Sequence, residues 1–164
     1  MGAFFAKEIL DAAIQIERNG QLFYERMGQK AADKPAQEVF GRLAGQEREH
    51  LSHLRDLAGK LPDPPETWER EEFAMYMAEL AESHVFRGDG SGEKAAQQVA
   101  GELAAVELGI RFEKDTILFL EGLQRMVREK ERTVVGKLLE WERAHLVELV
   151  RLKWQITGKA RSRA

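Results

Sequence analysis

Six residues combine donor chemistry with a spacing that helices would turn into a cluster: Glu17, Glu47, His50, Glu113, Glu142 and His145. Glu47 and His50 are three positions apart, as are Glu142 and His145, and residues at i and i+3 share a helix face. Each pair therefore aims a carboxylate and an imidazole at one locus. All six interrupt apolar stripes. One stripe reads Phe40, Leu43, Glu47, His50, Leu54, Leu57, Leu61, and another repeats its spacing as Val135, Leu138, Glu142, His145, Leu149, Leu152, Ile156. The remaining two are Ala6, Leu10, Ala13, Glu17, Gly20, Tyr24, Met27 and Val99, Leu103, Val106, Ile110, Glu113, Ile117, Leu120.

A carboxylate in a dry core without a partner takes up a proton or costs several kcal/mol. Four at one depth need positive charge, and the stripes contain no Lys or Arg. Two divalent cations would balance four Glu anions, and two neutral imidazoles would complete the coordination. The pattern predicts a dinuclear metal site. In it each Glu-x-x-His pair grips one ion through His and reaches the neighbouring ion through Glu, and an outer Glu from the opposite hairpin closes each shell. Oxygen and nitrogen donors of this kind suit iron or manganese, with zinc or cobalt as possible substitutes.

Helices must carry these groups, and the chain supplies them. The first is predicted from about Ala3 to Ala32, ending before Asp33-Lys34-Pro35, because the residue before Pro disfavours helix. The second runs from near Pro35 to Leu61, where Pro62-Asp63-Pro64-Pro65 stops it. A shorter amphipathic segment spans roughly Trp68 to Val85, followed by a flexible loop at Arg87-Gly88-Asp89-Gly90-Ser91-Gly92. A third long helix is expected over about Glu93 to Arg128, and a fourth over about Arg132 to Thr157.

The halves repeat. Val39-Phe40-Gly41-Arg42-Leu43 through His50 aligns with Val134-Val135-Gly136-Lys137-Leu138 through His145 at an offset of 95, and Glu17 with Phe23 matches Glu113 with Phe119 at 96. At about 1.5 Å of rise per residue, Glu17 lies about 25 Å from the first hairpin turn and the Glu47–His50 pair about 20 Å beyond it; the second half gives nearly the same figures. Both hairpins place their donors at one level. The stretch from Leu61 to Gly92 is long enough to return along the bundle. The fold class is all-α: a four-helix bundle with one long crossover that contains an additional helix.

Composition agrees. The chain has 164 residues, enough for one domain over 1–158, with a basic tail at 159–164 carrying Lys159, Arg161 and Arg163. Hydrophobic residues make up 43% and charged residues 32%, the balance of long amphipathic helices. A net charge of −3 argues against a nucleic-acid partner. Cysteine is absent, which excludes disulfides, a thiolate nucleophile and Cys-ligated iron. No run approaches the roughly 18 apolar residues of a membrane span, and the start lacks a secretory core, so no membrane association and a cytoplasmic location are expected. Met1-Gly2 does not make a myristoylation signal, since Ala6 stands where Ser or Thr is needed.

Two Glu-x-x-His pairs in register, each with a Glu about 30 residues upstream, resemble the ferritin-like superfamily, and specifically the rubrerythrin-type di-iron domain, over essentially the whole chain. The resemblance implies two iron ions, with Glu47 and Glu142 bridging them, Glu17 and Glu113 binding terminally, and His50 and His145 each giving one nitrogen. It also implies reaction of the diferrous centre with dioxygen or hydrogen peroxide. Full rubrerythrins carry a Cys-ligated rubredoxin iron that feeds electrons inward; with no Cys, this chain needs an external electron donor. Rubrerythrin peroxidases place a further Glu three residues after the third-helix ligand, where this chain has Thr116, while simple Fe(II) oxidation needs no extra carboxylate.

The reading is therefore a di-iron oxidoreductase of ferroxidase or peroxidase type, expected as a homodimer. The alternatives are an iron storage or delivery protein and a metal-free helical interaction module. Around the site, Tyr24 and Trp141 are expected mainly to pack, although both stand close enough in sequence to donate a hydrogen bond or relay electrons. His53 is expected in solvent or behind the ligands, and His84 on the surface. Gly20, Gly41, Gly109 and Gly136 are expected to mark close helix approach or, less often, room beside the metals.

Overall fold

The structure, a computed structural model, describes residues 2–58, 68–127 and 129–158. Its helices are α1 (Gly2–Lys30), α2 (Lys34–Ala58), α3 (Trp68–Ser83), α4 (Ser91–Gln98), α5 (Glu102–Met126) and α6 (Glu129–Thr157), and no strand occurs among the described residues. Helix α1 packs chiefly on α2 and α5 on α6, and the two hairpins meet along the α1–α5 and α2–α6 seams. Leu61, the Pro62–Pro65 stop and the basic tail lie outside the described residues.

The apolar stripes become the core because their helical period puts them on one face. Phe40, Leu43, Leu54 and Leu57 of α2 and Val135, Leu138, Leu149 and Leu152 of α6 are buried. The α6 stripe ends earlier than its periodicity suggests, since Ile156 is exposed. The first turn is closed by polar groups. Backbone N–H groups of Ala32 and Asp33 both donate to Glu102 Oε1 at 2.8 Å, and Asp33 Oδ2 accepts from the N–H of Ala36 at 3.3 Å, inside the first turn of α2. Pro35 is tolerated there because N–H groups in a first turn have no intrahelical acceptor.

The third long helix expected from about Glu93 is in fact two. Helix α4 stops at Val99, which is extended (φ −66°, ψ 130°), and Gly101 at φ 84°, ψ 166° turns the chain before α5. Only glycine adopts that backbone readily. Lys30 Nζ donates to the carbonyls of Ala96 and Val99 at 3.2 and 3.1 Å, closing the end of α4 against α1. Val99 and Leu103 thus fall off the third stripe: Val99 is half-buried and Leu103 exposed, and inward packing begins at Ala105 and Val106.

The end of the crossover is pinned rather than loose. Asn19 Nδ2 donates to the carbonyls of Phe86 and Gly88 at 3.3 and 2.8 Å, and Asp115 Oδ2 accepts from the Val85 N–H at 3.0 Å. His84, expected on the surface, is buried. Its Nδ1 accepts from the Phe86 N–H at 3.1 Å, so Nε2 carries the proton and donates to Thr116 Oγ1 at 3.2 Å. The ring also stands edge-on to Phe112. Tertiary contacts made by the turn after α3 draw this residue inward, and they have no signature in local periodicity. Burial drags its pKa from 6.5 to about 4, so the imidazole is neutral.

Candidate metal centre

Glu17 on α1, Glu47 and His50 on α2, Glu113 on α5, and Glu142 and His145 on α6 converge in the core, each at most 1% exposed. The i, i+3 spacing puts donor pairs on the inner faces of α2 and α6, and the antiparallel hairpins bring Glu17 and Glu113 to their level. Ligand atoms of Glu47, His50, Glu142 and His145 all lie within 4.8 Å of one another.

The two central carboxylates have a distinctive orientation. Glu47 turns Oε2 toward His50 Nδ1 (3.4 Å) and Oε1 toward His145 Nδ1 (3.3 Å). Glu142 does the same, with Oε1 at 2.6 Å from His50 Nδ1 and Oε2 at 3.1 Å from His145 Nδ1. Each offers one oxygen to each imidazole. Glu17 Oε2 completes one locus at 3.4 Å from His50 Nδ1, and Glu113 Oε1 the other at 3.7 Å from His145 Nδ1. This corrects the expectation that the outer Glu comes from the opposite hairpin. Because α1 packs on α2 and α5 on α6, each outer Glu serves the His of its own hairpin, and the opposite hairpin contributes the shared carboxylate.

These atoms approach one another without hydrogen-bond alignment. Both oxygens of Glu47 and of Glu142, Oε2 of Glu17 and of Glu113, and Nδ1 of both histidines are buried and lack a hydrogen-bond partner. Buried polar groups are otherwise nearly always paired. Lone pairs aimed inward from six residues, all of them oxygen or imidazole nitrogen, fit divalent cations of the borderline to hard class.

Electrostatics point the same way. Burial raises Glu17 and Glu113 well above the usual carboxylate range, and the negative charges of Glu142 and Glu47 push them further. Burial also opposes ionisation of Glu47 and Glu142, but the close approach of Glu17, His145 and His50 holds Glu47 low, and His145 and His50 lower Glu142. Burial would favour neutral imidazoles, yet Glu142, Glu17 and Glu47 push His50 up to about 12, and Glu113, Glu142 and Glu47 raise His145 as well. Without a cation the outer carboxyls are pushed toward the neutral form and the imidazoles toward the charged form.

The surroundings differ on the two sides. Tyr24 donates its hydroxyl to Glu113 Oε1, leaving Oε2 free, and burial followed by the charge of Glu113 raises the tyrosine pKa, so it remains a donor. Tyr24 sits among Phe23, Phe40 and Phe112, all fully buried. Gly109 gives the ring room, since a Cβ there would meet the Tyr24 hydroxyl at 3.2 Å. Gly20 likewise admits the Phe112 ring; a Cβ on Gly41 would face open space, while the Gly41 backbone lies 3.4 Å from where a Cβ on Gly28 would stand. Trp141 stacks on His50 with centroids 5.2 Å apart and planes at 4°, although its neighbour Glu142 faces the cluster. Half-buried His53 stands edge-on to Trp141 at 5.1 Å. Sequence spacing could not show this contact, because Trp141 meets its partners on another helix.

Two helical hairpins closing on a buried carboxylate–imidazole cluster, with a crossover helix on the outside, make this a ferritin-like bundle. The crystal structure of a ferritin-like diiron-carboxylate protein from Thermotoga maritima has the same fold, with a TM-score of 0.65, 24% identity, and coverage of 90% of this chain and 93% of that one. The chain belongs to the rubrerythrin family, whose model matches residues 8–153. No curated protein matches it. Among the described residues no helix is long and apolar enough to cross a membrane.

Proposed function

We propose that this protein is a di-iron oxidoreductase of ferroxidase or peroxidase type, consuming dioxygen or hydrogen peroxide and drawing electrons from an external donor. In this reading Glu47 and Glu142 are shared between two ions, Glu17 and His50 serve one, and Glu113 and His145 serve the other. The observation that carries it is the orientation of the central carboxylates, each turning one oxygen to each imidazole. A site built for one ion has no use for that arrangement.

Two bound iron ions supply a reversible redox change and Lewis acidity. The chain supplies the rest. Glu47 and Glu142 hold two loci together, and the buried surroundings exclude bulk water. Tyr24 fixes the Glu113 carboxylate through one oxygen and keeps a phenolic proton at the edge of the cluster. Thr116, one turn beyond Glu113, is engaged by His84 and offers no further carboxylate. That difference favours Fe(II) oxidation over specialised peroxidase chemistry. We place the protein in the cytoplasm as a homodimer, with exposed apolar side chains such as Leu118 and Val147 available on α5 and α6; light scattering tests the dimer.

Anaerobic loading with Fe(II) followed by oxygen or peroxide is the functional test. The expected result is two irons per chain, a ferric absorption band on oxidation, and repeated turnover when a reductant is present. A single oxidation followed by mineral growth would favour storage instead. Failure to take up iron would leave only a metal-free interaction module.

A further inference from the structure

We infer that Trp141, with His53 at its outer edge, is the route by which an external one-electron reductant reaches the His50 side of the cluster. The inference rests on the redox reading above and adds where the electrons enter.

Three rings lie nearly parallel. Trp141 stacks on His50 at 5.2 Å and 4°, and His50 stacks on His145 at 5.1 Å and 13°. His53 meets Trp141 edge-on. His50 and His145 are buried, whereas Trp141 and His53 are half-buried and reach solvent at the α2–α6 seam. Electronic coupling falls steeply with the gap between groups, so stacked rings running from solvent to a ligand imidazole form the short path. Among the described residues the other seam offers none: on the α1–α5 side Tyr24, Phe23, Phe112 and Phe86 are all buried.

The repeat supplies a second argument. At the offset of 95, Trp141 corresponds to Gln46 and His53 to Glu148. Gln46 is exposed, and Glu148 is paired with Arg42. The bundle therefore closes on its second hairpin without an equivalent stack on His145, and the stack on His50 is not a general requirement of packing. In the step itself a one-electron reductant, such as a reduced viologen or a reduced flavin, gives up one electron and one ferric ion becomes ferrous. No bond forms or breaks, Trp141 returns unchanged, and two such transfers reset the pair.

The test uses iron-loaded, air-oxidised protein mixed anaerobically with reduced methyl viologen, following loss of ferric absorption by stopped flow. Trp141→Leu and Trp141→Met are expected to slow reduction at least about tenfold while iron content and midpoint potential stay at wild-type values. Trp154→Phe is expected to behave as wild type. Reduction of both Trp141 variants at the wild-type rate overturns the inference, as does slowing that is accompanied by lost iron or a shifted potential, since that outcome means Trp141 only props His50. A readout without turnover covers the case in which those variants fold poorly. In a Trp68→Phe, Trp154→Phe protein, Trp141 is the sole tryptophan, and binding of redox-silent Zn(II) must change its emission; no change with zinc bound overturns the stack. Wild-type protein that takes up no iron, or whose iron cannot be reduced, contradicts the redox reading instead.

Discussion

The two hairpins present the same donors and different neighbours. Glu17, Glu47 and His50 on one side and Glu113, Glu142 and His145 on the other are equivalent in chemistry, burial and helix position. Around them the equivalence ends. Tyr24 holds Glu113, but its counterpart is Leu120, which can donate nothing to Glu17. Trp141 stacks on His50, while the matching place is Gln46. Gly20 admits the Phe112 ring, while its counterpart Thr116 receives His84. In the proposed di-iron reading, chemistry shared by two ions would constrain the inner groups to match and leave the surrounding residues free to give each ion its own environment.

The sharpest way to break the comparison is to remove inner groups one at a time. Glu47→Ala or Glu142→Ala should abolish binding of both ions, because each carboxylate faces both imidazoles. Glu17→Ala or Glu113→Ala should leave about one ion per chain by elemental analysis. Equal losses from all four would mean that the loci are not separable. The same residues should trade function for stability. Burial and the charges of Glu142 and Glu47 all disfavour an ionised Glu17, so metal-free Glu17→Leu should unfold at higher urea than metal-free wild type.

Tyr24→Phe sharpens the asymmetry. Loss of a hydrogen bond behind a metal ligand typically costs about 10–100-fold in affinity. The loss should appear in only one of two binding steps in a calorimetric titration. Two equally weakened steps would show that Tyr24 supports the bundle and not Glu113 in particular.

His84 makes stability depend on pH from one side only. Its folded pKa, about 4, lies below the ordinary 6.5, so as pH falls the unfolded chain takes up the proton first. The contribution is whole above pH 6.5 and declines as pH drops toward 4. Between pH 7 and 5 wild type should lose about 2 kcal/mol more than His84→Gln in urea unfolding. Parallel losses would show that the ring is protonated in the native state.

The smallest expected effect separates two glycines. Gly41 faces open space within α2, so Gly41→Ala should stabilise by about 0.5–1 kcal/mol through helix propensity. Gly20→Ala drives a methyl group into the Phe112 ring and should cost about 1–3 kcal/mol. Thermal unfolding that shifts both proteins in the same direction would contradict the packing described for Gly20.

The inner groups were legible because helical period, donor type and internal repeat all bear on the same six positions. Their environment was not. The pattern could assign Tyr24 and Glu113 to facing stripes but not show that they touch. Burial of His84 depends on how the crossover turn lands on α5, and the Trp141 stack depends on the α2–α6 seam. The break between α4 and α5 escaped detection because the apolar phase runs through Val99 and Leu103, while the conformation of Gly101 alone turns the chain. The assignment of each outer Glu to its own hairpin likewise required knowing which helices pack most closely.

Anomalous diffraction from iron-loaded crystals tests the central claim most directly. The account predicts two peaks inside the bundle, one beside His50 Nδ1 and Glu17, the other beside His145 Nδ1 and Glu113, with Glu47 and Glu142 reaching both. A single peak, or none within reach of these six side chains, would contradict it.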